Sequence, residues 1–95
     1  MAYPADSLEW AEITLESVPT EYRASGFAAG DCLLALDRAR HALTDGDERG
    51  AARAIITARN VLGRFTPSAS LQITLERAFH DLTPARDWAV SVLAA

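Results

Sequence analysis

Ninety-five residues make one domain with room for one core, and a chain that is 49% hydrophobic has enough apolar matter to fold. A net charge of −4 argues against direct nucleic-acid binding, and no apolar run reaches the length of a membrane span. The single cysteine, Cys32, excludes an internal disulfide; with no basic-then-apolar leader at the N-terminus, the expected compartment is the cytoplasm.

Every basic residue is arginine and none is lysine. Together with abundant alanine this reads as a GC-rich coding bias, hence a bacterial or phage origin. The charge is also unevenly placed. Residues 1–31 hold six acids (Asp6, Glu9, Glu12, Glu16, Glu21, Asp31) against Arg23 alone, whereas the remainder balances seven acids with eight arginines.

In chain order, the first predicted element is the acidic segment within residues 1–19. Asp6 or Ser7 is the expected N-cap, with Asp6 and Glu9 resembling a capping box. On a helix Leu8, Ala11, Leu15 and Val18 share a face, Glu9, Glu12 and Glu16 form an acidic stripe, and Trp10 and Ile13 fall on a third side. The tail "EITLESV" alternates as a strand also would, and Pro19 closes the segment. "TEYRASGFAAG" reads as a loop with an early helical turn. Its Gly26 and Gly30 have a close-packing spacing that carries little meaning without a membrane.

The central hairpin is expected over residues 31–65. Cys32, Leu36, Ala39 and Leu43 line one helix; Ala51, Ile55, Ala58, Leu62 and Phe65 line the next. The intervening "LTDGDERGAARAI" is not a calcium loop: counted from Asp45, the fifth position is Arg49 and the twelfth is Ile56, where oxygen ligands belong. Nor does it carry the Gly-Lys-Ser/Thr ending of a phosphate loop. It fits a helix–helix corner, with Gly46 at a left-handed position, Asp45 or Asp47 capping the following helix and Glu48 near its positive end. Residues 67–95 are expected to form a second hairpin. Thr66-Pro67 and Thr83-Pro84 are start signals, and the apolar faces are Leu71, Leu75, Ala78 and Leu82, then Ala85, Trp88, Ala89 and Val92.

"LDRARHALT" (Leu36 to Thr44) and "LERAFHDLT" (Leu75 to Thr83) agree at most positions. Either a helical hairpin was duplicated or two helices converged on one amphipathic pattern. The fold class is in both cases all-α: an antiparallel bundle of four to five helices in a single domain.

The echo sets Asp37 and His41 beside Glu76 and His80 as candidate metal ligands. The spacing is four rather than the three of di-iron bundles, and Arg38 and Arg77 adjoin both pairs, so no metal is expected. Cys32 lies on an apolar face with no histidine, no Ser-His-Asp arrangement is legible, and no cofactor motif is present; the chain reads as a non-enzyme. Candidate contact residues are apolar side chains displaced from the core faces, Trp10, Ile13, Leu34, Ile56 and Ile73, with Val90 of the same kind. These either stand singly in solvent or make a second apolar surface for a partner or for the N-terminal helix. Arg49, Arg53 and Arg64 form a basic stripe, read either as a solvated face or as a docking strip for Glu9, Glu12 and Glu16 in cis or across a homodimer. Residues 1–19, lying outside the echo, are expected to dock as a separable arm.

The register Ala39, Ala42, Leu43, Gly46-Asp47, Ile55, Ala58, Val61, Leu62, Phe65 resembles the central hairpin of the flagellin-export chaperone family over about a third of the chain. The resemblance departs at "ASGFAAGD", where that family opens its first long helix differently, and in a shorter connection after Phe65. It implies a cytoplasmic five-helix bundle that binds a helical export substrate along its surface. Two functions follow: a small bacterial protein-binding module whose grooves accept a partner's helices, or a phage or bacterial inhibitor whose acidic N-terminal segment, with Tyr3, Trp10 and Tyr22, blocks a basic partner site.

Overall fold

The computed structural model describes residues 4–64 and 69–95, with side chains over 4–63 and 71–95. Five helices follow one another: α1 (Ala5–Glu16), α2 (Ala28–Thr44), α3 (Glu48–Arg64), α4 (Ala69–Asp81) and α5 (Thr83–Ala94), with a single 3-10 turn at Thr20–Arg23. No strand occurs among the described residues, so the alternating tail of the first segment is helical. The bundle measures 38 × 20 × 20 Å. The expected start signal at Thr66-Pro67 and the core role of Phe65 lie outside the described residues.

The corner between α2 and α3 forms as its residues dictate. Gly46 has φ +78°. Its N–H donates to the Leu43 carbonyl at 3.2 Å, and the Asp47 N–H donates to the Ala42 carbonyl at 2.8 Å, which together terminate α2 in a Schellman motif. Asp47 then starts α3: its carboxylate accepts the Gly50 N–H at 2.9 Å and its carbonyl accepts the Ala51 N–H at 3.0 Å. With a loop this short the two helices pack antiparallel, and theirs is the most extensive interface in the molecule. About half of the buried apolar side chains are alanine, among them Ala35 and Ala39 on α2 and Ala51 and Ala58 on α3, with Leu36 and Ile55 fully buried. Small side chains let helix axes approach closely.

Three expectations about the other elements change. First, α1 belongs to the core. Leu8, Ala11, Leu15 and Val18 are buried, as their shared face implies, and Leu8 and Leu15 are among the largest fully buried side chains. The arm reading failed because it weighed the segment's charge and its place outside the echo above its apolar face. Second, α1 has no side-chain N-cap; Pro4 precedes it, and neither Asp6 nor Ser7 serves. Third, α4 and α5 do not form a second hairpin like the first. Only Leu82 separates them, they share little surface, and α4 packs mainly on α1 while α5 packs mainly on α3. The echo does predict burial, since Leu36 and Leu75, and Ala39 and Ala78, are buried pairs, but the two copies face different neighbours.

The α4–α5 elbow is held by α1. Ser7 donates its hydroxyl to the Asp81 carbonyl in the last turn of α4. The same oxygen accepts the Ala85 N–H in the first turn of α5 at 3.3 Å. One hydroxyl thus satisfies an orphan acceptor and an orphan donor at adjoining helix ends. Thr83 makes no capping bond, although Pro84 does sit in the first turn as its fixed φ favours.

Helix α2 begins three residues earlier than the apolar pattern suggests, and Gly30 is the reason it fits. A Cβ at Gly30 would overlap the Ala24 carbonyl and crowd that of Arg23, so the first turn of α2 lies directly on the backbone of the preceding turn. Only Gly30 of the pair makes a close contact; Gly26 has open space around it and instead supplies a left-handed φ of +94°. Gly30→Ala is expected to destabilise the protein by about 1–3 kcal/mol, since relief requires backbone movement. A denaturant midpoint equal to that of the native protein would contradict this contact.

Candidate partner-binding groove

Helices α1 and α4 bury their apolar faces together and leave a shallow groove above the line of contact. On α1 the groove takes Trp10, Ile13, Thr14 and Ser17; on α4 it takes Ile73, Thr74, Arg77 and Asp81. Each set follows the three- and four-residue steps of one helix face. The volume is about 510 Å³. A second depression of about 320 Å³ adjoins it, lined by Pro4, Asp6, Ser7, Trp10, His80, Asp81 and Pro84, so Trp10 stands as a ridge between the two. Trp10 is 63% exposed, Ile13 53% and Ile73 76%. Three large apolar side chains gathered around one groove cost solvation free energy that a buried position would recover.

The polar floor is fixed. Thr14 donates to the Asp81 carboxylate at 2.8 Å, and its oxygen lies 3.0 Å from the Trp10 carbonyl. With the Ser7 bonds to Asp81 and Ala85, this ties both rims to one rigid frame.

The electrostatics divide the groove's edges. Helix α1 carries Asp6, Glu9, Glu12 and Glu16 and no base. Glu12 pairs with Arg40 of α2 at 2.6 Å. The acidic stripe therefore meets α2, and the expected in-cis docking against Arg49, Arg53 and Arg64 is not formed at Glu12. Helix α1 packs on α4, α2 and α5, and makes no substantial interface with α3. Arg49 and Arg53 stand exposed on α3, while the Arg64 side chain lies outside the described ones.

Of the apolar contact candidates, the structure gathers Trp10, Ile13 and Ile73. Leu34 is exposed on α2 and Ile56 is half-buried against the core; neither lines this groove. Val90 is exposed on α5 and also lies apart from it. Of the groove's polar members, Thr14, Ser17, Thr74 and Asp81 were not singled out from sequence, and Arg77 was noted only as a charge opposing a metal. Their spacing from Trp10 and Ile73 placed them on the right faces, but nothing local said that α1 and α4 adjoin.

The remaining chemical candidates stay apart. Among the described residues Asp37 and His41 pair only with each other, at 3.5 Å on an exposed face. Neither they nor Glu76 and His80 belong to any group of three or more potential metal ligands among the described residues. Burial pushes the Cys32 thiol up to about 12, with the nearby Glu12 carboxylate adding to the shift, so the sulfur is a protonated core atom at neutral pH. Arg59 lies over the Phe79 ring at 3.8 Å and links α3 to α4. No helix among the described residues is long and apolar enough to cross a membrane. Comparison with protein-family models, with curated proteins and with solved structures finds no match.

Proposed function

We propose that this protein is a small non-enzymatic binding module that receives a helix of a partner protein in the groove between α1 and α4. The observation that carries the reading is the cluster of Trp10, Ile13 and Ile73, exposed together on a frame whose floor is held by hydrogen bonds. A rigid apolar trough between two helices suits a third helix presenting residues at three- and four-residue steps. An exposed tryptophan on its rim is the kind of side chain that dominates interface energetics, where truncation commonly costs about 2 kcal/mol or more. A chaperone-like role in a bacterial cytoplasm, the occupant being a helix of an exported protein, is the form suggested by the hairpin's resemblance to flagellin-export chaperones. The second reading, an inhibitor that occludes a basic partner site, is favoured by the exposed Asp6, Glu9 and Glu16 along the same helix.

The test compares the full-length protein with Ile13→Glu/Ile73→Glu, first verified as folded by circular dichroism. A partner captured from the source cell by the native protein is expected to be lost by the variant. The bound partner should also slow amide exchange in α1 and α4. Equal capture by both proteins, or protection confined to other helices, would remove the groove from the mechanism.

A further inference from the structure

The edges of the groove carry information about its occupant. Resting on the docking reading above, we propose that the groove takes a cationic amphipathic helix whose basic side chains run along α1. Glu9 and Glu16 are seven residues apart and point within about 20° of each other, with Ile13 about 40–60° to one side. Asp6 projects between Ile13 and Trp10 on the same wheel. Asp6, Glu9 and Glu16 are exposed and form no ion pair among the described residues, whereas Glu12 is already neutralised by Arg40. An acidic rail therefore borders the apolar trough on the α1 side. On the α4 side Arg77 lies in the groove, also without an ion pair among the described residues, while Asp81 is engaged by Thr14.

Rails of opposite sign do two things. They select an occupant with bases beside its apolar stripe, because an acidic helix would set like charges along α1. They also favour one direction for the occupant, since reversing the helix exchanges the flanks that meet the acidic rail and Arg77. A second copy of this chain suits the site poorly: a twofold contact centred on Trp10 and Ile13 would oppose two sets of Asp6, Glu9 and Glu16. The 12 residues of α1 and 13 of α4 offer about 18 Å of trough, enough for three to four turns of helix.

The probes are two synthetic amphipathic helices of about this length, one of leucine and lysine and one with glutamate replacing each lysine. Titration calorimetry gives the affinity, and tryptophan emission gives the location, because Trp10 is exposed and Trp88 is buried. The cationic helix is expected to bind at least tenfold more tightly than the anionic one, with a blue shift in emission. Glu9→Gln/Glu16→Gln should close most of that gap, and Ile13→Ser/Ile73→Ser should abolish binding while leaving the charges in place. Equal affinity for the two helices would overturn the charge inference and leave the docking reading standing. Cationic binding that survives Ile13→Ser/Ile73→Ser would overturn it as well, reducing the effect to diffuse attraction. No binding of either helix, with emission unchanged, would sink the docking reading itself. A native dimer in sedimentation that Ile73→Ser dissociates would assign the groove to a second copy instead.

Discussion

Removal of residues 1–19 is expected to unfold the protein. The segment contributes Leu8, Leu15 and Val18 to the core, each worth about 1.5–3 kcal/mol when buried. Their loss also strips α4 of its main packing partner, exposing the face that holds Leu75 and Ala78. A domain of this size has a total stability of about 5–15 kcal/mol, so the deficit is comparable to the whole. The polar clamp adds to it. Without Ser7 the Asp81 carbonyl and Ala85 N–H lose their partner at the elbow, and Ser7→Ala alone should lower stability by about 1–2 kcal/mol. Far-ultraviolet circular dichroism and a thermal melt of residues 20–95 decide the matter. A helical fragment with a cooperative melt would mean that α1 is an appendage despite its burial.

The second large effect is expected at Leu36, whose side chain is 0% exposed. Leu→Ala at such a position costs about 2–5 kcal/mol, the spread reflecting how far the site collapses. Here the neighbours include alanines, which have no side-chain length with which to fill a void. The upper half of the range is therefore expected, a fall of roughly 15–40 °C in Tm for a domain this small. Leu34 serves as the internal control. Two residues away on the same helix it is exposed, and Leu34→Ala should change stability by less than about 0.5 kcal/mol. Equal effects at the two positions would mean that the face of α2 is assigned wrongly.

What could be read from the chain divides by distance along it. The α2–α3 corner was legible residue by residue, because a left-handed glycine and a capping aspartate act within five positions of each other. The buried faces were legible for the same reason: apolar spacing is a local signal, and it placed Leu8, Leu15, Leu36, Ile55 and Leu82 inside. Ser7 was misassigned because a serine near a helix start ordinarily caps its own helix, and its true partners lie 74 and 78 residues away. Thr83 failed in the complementary way: its helix is served by that distant hydroxyl. Gly30 was discounted because a sequence cannot say that another strand of backbone passes over it. The groove sits between these cases. Each rim is a helix face that could be drawn from spacing alone, but the pairing of α1 with α4 is a tertiary fact. The echo misled there by suggesting that α4 would pair with α5.

The hydroxyl clamp at Ser7 has a consequence for synthesis. Translation delivers α1 first, yet the groups that Ser7 joins are made 74 and 78 residues later. At about 5–20 residues per second, roughly 4–15 s pass before they exist. Helices α2 and α3, joined by a three-residue corner, need no group from either end of the chain to close on each other. Helix α1 has no such sequence neighbour: its main packing partner is α4, so Leu8 and Leu15 wait for the far half of the chain to be covered. The elbow between α4 and α5 therefore gains its clamp only once both ends of the chain have been made.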